Sequence, residues 1–140
     1  MSVRRVDQGA AATAAGLLPR NVDRDRGKEL RTRYRQLRAM LHGAGLAATY
    51  AFVAARTGGE LAESYGEVAS GLRQWLTDRG LLTGDPATMT PADVLGQLGR
   101  MDTVRYGRAS AEAAALVSWL SRLADATYQF PESTGDGARR

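Results

Sequence analysis

Lys28, Arg31, Arg35, Arg38 and His42 stand at offsets 0, 3, 7, 10 and 14 along the chain. At roughly 100° per residue, the helical step, these five side chains fall within an arc of about 80°. Leu30, Tyr34, Leu37 and Leu41 fall on a separate apolar arc. Arg33 lies at its edge, where a long stem covers apolar surface and the charge stays in water. One face of such a helix packs and another carries a line of cations. That line matches a nucleic-acid backbone, where each neutralised phosphate releases counterions. The competing reading is a solvated arginine face, since Lys28 is the only lysine and 18 of 19 basic residues are arginine. With abundant alanine and glycine, that excess looks like the coding bias of a GC-rich genome. Placement, not number, carries the argument.

His42 is the sole histidine, with six residues between it and Arg35. The spacing fits the R-x(4–6)-H motif of helical ribonucleases of the HEPN type, and one histidine suffices for acid–base work. In so arginine-rich a chain the match arises easily by chance, and Gln36 after the arginine adds no distinction. Glu60, Glu63 and Glu67 share a helix face, but a di-metal carboxylate site needs paired Glu-x-x-His motifs, which the sequence lacks. They read as a solvated acidic face. The absence of cysteine excludes disulfides, thiolate zinc sites and a cysteine nucleophile. No Ser–His–Asp grouping can be argued from the sequence. No catalytic residue, metal, cofactor or small-molecule substrate is expected.

The stretch "HGAGLAATYAFVAAR", His42 to Arg56, could be a phosphate loop, a membrane segment or a corner. Only 13 residues, Gly43 to Ala55, lack charge, too few to span a bilayer as a helix. A phosphate loop needs a preceding strand, and what precedes Gly43 is an amphipathic helix. The corner remains: Gly45 takes positive φ and ends one helix, and alanines at 47, 48, 51, 54 and 55 let the next pack closely.

The rest of the chain must position these residues. Its 140 residues suit one domain, with 44% hydrophobic and 24% charged residues, as in ordinary soluble globular proteins. The net charge is +4, but residues 1–56 hold 11 basic and 4 acidic residues (+7) and residues 57–130 hold 6 and 9 (−3). The positive field belongs to the N-terminal part and suggests a polyanionic partner there. Arg4-Arg5 hints at an export signal, yet Asp7 and Gln8 sit where its apolar core should start. A cytoplasmic protein is expected. Alanine and leucine dominate without β-branched runs, which predicts helices throughout.

The first helix is expected over Val6 to Leu18, stopped by Pro19, with "RNVDRDRG" as a charged connector. Others are expected over Lys28–His42, Gly45–Arg56 closed by Gly58-Gly59, and Gly59–Arg79 stopped by Gly80. Leu61, Tyr65, Val68, Leu72, Trp75 and Leu76 form the apolar stripe of the last of these. Thr90 and Pro91 start a short helix ending near Gly99. The closing helix, Ser110–Tyr128, buries Ala113, Leu116, Val117, Leu120 and Ala124, leaving Arg122, Asp125 and Gln129 in water. Tyr65, Trp75, Tyr106 and Trp119 read as core or interface rather than base-stacking platforms. The expected fold is an all-α, compact single-domain bundle of five to six helices over 1–130, with 131–140 a disordered polar tail.

Two segments then carry a resemblance. In "YRQLRAMLHGAGLAATYAFVAAR", a tyrosine-led helix precedes a Gly-Leu corner and an alanine-and-phenylalanine helix, with Gly45, Leu46, Ala51 and Phe52 at the characteristic places. In "RYGRASAEAAALVSWLSRLADA", Tyr106, Leu116, Trp119, Leu120, Arg122 and Ala124 fit a closing Leu-x-x-Trp-Leu-x-Arg pattern. Together with an N-terminal helix before a charged connector, they resemble the small subunit of type III-B CRISPR effector (Cmr) complexes. Ala44 and the region of Ala39 depart from that family's pattern, and the type III-A small subunit is the neighbouring alternative. The resemblance implies a helical, non-catalytic subunit that stacks with copies of itself beside the backbone and large subunits. It further implies a groove that holds guide RNA and target RNA in antiviral defence. Lys28, Arg31, Arg35, Arg38 and His42 are then the RNA-binding candidates. Trp119, Tyr106 and Arg122 are the subunit-interface candidates. A HEPN-type ribonuclease and a small helical regulator binding duplex DNA are the rival readings, the second without any clear helix-turn-helix spacing.

Overall fold

A computed structural model describes residues 3–55 and 62–129. Among them run six helices and no strand: α1 (Val3–Leu17), α2 (Arg24–Ala44), α3 (Leu46–Ala55), α4 (Ala62–Asp78), α5 (Pro91–Gly99) and α6 (Thr103–Thr127). The all-α bundle expected from composition is the fold that forms. The expected Gly58-Gly59 stop, Glu60, Leu61 and the polar tail 131–140 lie outside the described residues.

Helix starts follow capping chemistry. Thr90 caps α5 with Pro91 in its first turn, as the sequence predicts, and Asp93 completes a reciprocal capping box. Three helices begin earlier than expected: α1 at Val3 rather than Val6, and α2 and α6 by still more. The "RNVDRDRG" segment is not wholly a connector: Asp23 accepts the Arg26 amide at 2.8 Å and α2 starts at Arg24, with Asp25 in its first turn. Likewise α6 starts at Thr103, not Ser110, because Asp102 accepts the Arg105 amide at 2.8 Å.

The long α6 lies against α1, α2, α3 and α4. Small side chains permit this. Ala109, Ala113 and Ala124 are fully buried on α6, as are Ala10 and Ala14 on α1. Leu116, Val117 and Leu120 fill the layer between them, as the periodicity requires. On α4, Tyr65, Val68, Leu72, Trp75 and Leu76 are buried on the predicted stripe. The Trp75 indole N–H donates to the Glu112 carbonyl at 3.1 Å, and Arg79 lies over the same ring and 3.3 Å from the Glu112 carboxylate. These contacts join α4 to α6. Arg73 fixes the loop after α4, donating to the Pro86 carbonyl and the Tyr50 hydroxyl, both at 3.0 Å.

The corner between α2 and α3 is glycine-specific. Gly45 has φ 98° and ψ 171°, a region essentially closed to residues with a Cβ. Its amide donates back to the Leu41 carbonyl, and its carbonyl accepts the Thr49 amide and hydroxyl. Helix α3 opens with unpartnered amides, and the Tyr106 hydroxyl, reaching over from α6, accepts that of Ala47 at 3.0 Å. A corner was expected; its closure from α6 was not.

Gly45→Val should cost about 1–3 kcal/mol, because a β-branched side chain is strained at this backbone geometry. A chemical-denaturation curve that overlays the wild type would contradict the account of the corner.

A second expectation concerns alkali. Tyr34 is buried and its hydroxyl finds no partner among the described residues. Burial, reinforced by the Tyr128 phenol and opposed by Arg26, pushes its ionisation well above the ordinary tyrosine range. Burial also raises Tyr128, again against Arg26. The folded state therefore favours the neutral phenols. That stability is complete below about pH 10, where unfolded tyrosine ionises, and falls as pH rises further. Tyr34→Phe should be near-neutral at pH 7 and should reduce the alkaline loss, as read by denaturation midpoints between pH 8 and 12.

Candidate nucleic-acid interface

The apolar arc of α2 is buried as predicted: Leu30, Tyr34, Leu37 and Leu41 all face the core. Burial of that arc fixes the rotation of α2 and turns the basic arc toward α6 and solvent. The five predicted cations do not remain equivalent there. Arg35, Arg38 and His42 line one wall of a groove of about 740 Å³ between α2 and α6. The opposite wall is Ser110, Ala111, Ala114 and Ser118, with Ala39 and Leu41 at the α2 side. Arg38 and His42 are exposed and, among the described residues, have no ion-pair partner.

Arg31 and Arg35 have one. Asp125 was expected to face water alone; instead its Oδ1 accepts from Arg35 Nη2 at 2.9 Å and Arg31 Nε at 3.3 Å. Arg31 also donates to the Tyr128 carbonyl at 3.4 Å, so it ties α2 to the end of α6. Lys28 is exposed but stands outside the groove lining, two turns before Arg35. Arg33 does not simply snorkel: it lies 3.4 Å from Glu29 and donates to Gln36 at 3.1 Å. The stripe is therefore divided: Lys28 lies outside the groove, Arg31 is a fastening, Arg35 shares Asp125, and Arg38 and His42 line the groove without an ion pair among the described residues.

The interface candidates separate in space. Trp119 is half-buried against the core, and the Arg122 guanidinium stacks over its ring at 5.2 Å. Tyr106 lies apart from them, at the Gly45 corner. Asp125 and the small wall of α6 were missed by sequence reasoning. The wall's signal was present, since 110, 114 and 118 recur at helical spacing, about 100° round the helix from the leucine stripe. Asp125 gave none, because its partners lie 90 and 94 positions away.

The described residues contain no cluster of three or more metal-ligating side chains and no helix long and apolar enough to cross a membrane. A chain-wide comparison then decides the family. The sequence model of the family described as CRISPR-associated protein (Cas_Cmr5) matches residues 7–127. The chain belongs to the Cmr5 family. No curated protein and no solved structure matches it. The match runs from α1 to the end of α6 and so includes both walls of the groove. Cmr5-family proteins are the small subunits of type III-B Cmr complexes, so this chain is a CRISPR effector subunit that associates with other effector subunits.

Adjacent residues Trp119 and Leu120 should behave differently. Leu120 is fully buried, and Leu120→Ala should cost about 2–5 kcal/mol of monomer stability. Trp119→Ala should cost clearly less, while weakening incorporation into the assembled complex. Thermal denaturation of the subunit and its co-purification with the complex separate the two effects. Normal incorporation of the Trp119 variant would remove this residue from the interface.

Proposed function

We propose that this Cmr5-family subunit holds RNA by its sugar–phosphate backbone along the α2–α6 groove and leaves cleavage to other subunits. One observation carries the reading. Among the described residues, the groove is lined by three basic side chains and otherwise by small or aliphatic ones, with no acidic or aromatic residue. Phosphate contacts position a nucleic acid without reading it, whereas bases are read by edge contacts or aromatic stacking. Such a groove suits guide and target RNA of any sequence. Copies of the subunit stack beside the backbone and large subunits in the cytoplasm, with Trp119 and Arg122 as the patch that meets a neighbour.

The test uses the assembled effector with radiolabelled RNA across a salt series. On single strands each lost phosphate contact flattens the log–log salt slope by about 0.7. Arg38→Ala should produce that change for RNAs of unrelated sequence. Arg31→Ala should leave the slope near wild type and lower subunit stability instead. Arg100→Ala, which removes an exposed charge at the C-cap of α5 outside the groove, is the control. Equal flattening by Arg38→Ala and Arg100→Ala would mean a diffuse field and no groove. RNA cleavage by the isolated subunit that disappears in His42→Ala would replace the proposal with the nuclease reading.

A further inference from the structure

We infer that Asp125 is a built-in competitor for RNA phosphate, and that Arg35 is the guanidinium it must release. The inference rests on the reading of the α2–α6 groove as an RNA site. A carboxylate and a phosphate offer a guanidinium the same kind of charged acceptor. An RNA phosphate entering the groove therefore meets Arg35 already engaged, with its Nη2 2.9 Å from Asp125 Oδ1.

The two arginines on this carboxylate differ in how tightly they are held. Arg31 has a side-chain exposure of 32% and a second bond, to the Tyr128 carbonyl. Arg35 is 56% exposed, lines the groove and has Asp125 as its sole hydrogen-bond partner among the described residues. An ion pair this open to water is weak and exchanges readily. Arg35 can swing to a phosphate while Arg31 stays and holds Asp125 in position. No proton moves, and only the acceptor of Arg35 changes. The carboxylate that Arg35 leaves attracts a salt cation, which offsets the one released from the phosphate. Arg38 has no such acid to leave, so its contact carries the full counterion effect.

The test compares effectors reconstituted with wild type, Asp125→Asn, Asp125→Glu, Arg35→Ala and Arg38→Ala subunits, measuring RNA affinity against salt. Asp125→Asn, nearly isosteric, should tighten binding and steepen the log–log slope by up to about 0.7, or roughly fivefold per tenfold fall in salt. Asp125→Glu keeps the charge and should restore the wild-type slope. Adding Arg35→Ala to Asp125→Asn should abolish the gain. A purely structural Asp125 would instead loosen the subunit and leave the slope unmoved. If the Asn variant does not incorporate, the two arginines decide: the competitor requires Arg35→Ala to flatten the slope less than Arg38→Ala. Equal flattening overturns it. A silent Asp125→Asn beside an active Arg38→Ala makes Asp125 a fastening only and leaves the groove reading intact. A silent Arg38→Ala removes the groove reading and the competitor with it.

Discussion

Everything on the candidate face depends on the antiparallel pairing of α2 with α6, and that pairing is fastened at both ends. At one end the chain turns at Gly45 and the Tyr106 hydroxyl of α6 accepts the Ala47 amide. At the other, Arg31 bridges Asp125 and the Tyr128 carbonyl, and the Tyr128 hydroxyl donates to the Pro19 carbonyl at 2.5 Å. On α2 the fastenings are 14 residues apart, about 21 Å at the helical rise. Between them the leucines of α2 and α6 are buried on the inner side. The outer side is left as a groove whose walls cannot rotate without exposing those leucines.

What was legible in the sequence follows from which interactions are local. The Thr90 cap, the Gly45 turn and the apolar stripes of α2, α4 and α6 are all set by neighbours within about four residues. Their residue types therefore show them directly. The misplaced starts of α2 and α6 are also local, but Asp23 and Asp102 stand in charged, glycine-containing stretches that read equally well as loop. The division of the basic stripe was not legible. Asp125 meets Arg31 and Arg35 only once α6 folds back along α2, and periodicity on one helix cannot reveal which cation a distant helix neutralises. The same holds for Tyr106, whose hydroxyl serves a corner 59 positions away.

The electrostatics of the groove are governed by where the acids go. Residues 57–130 carry a balance of −3, enough to cancel much of the N-terminal excess if spread evenly. They are not spread evenly. Glu112 faces Arg79 at the α4–α6 junction, and Glu63 and Glu67 line a separate cleft with Arg26 near the α1–α2 connection. Among the described residues only Asp125 of these acids reaches the basic face of α2, and there it is shared by two arginines. Arg38 stays uncompensated among the described residues. Fields from unpaired charges at a concave surface persist further than those of ion pairs, which behave as dipoles.

The far wall explains why the groove is wide enough to matter. Had α6 carried long side chains at 111, 114 and 118, they would lie across Arg38 and His42 and close the space. Alanine and serine there keep the backbone of α6 near the groove floor. The same helix uses alanine at 109, 113 and 124 to bring α1 and α2 close on its inner side. One composition thus performs two tasks on opposite faces. Inside, small residues allow tight packing; outside, they leave room for a ligand. A wall of this kind offers hydroxyls and methyls but no ring to stack a base and no amide to read one. On the proposed reading, discrimination among RNA sequences comes from elsewhere in the effector. That is the arrangement expected where pairing between two RNA strands, rather than the protein, supplies specificity.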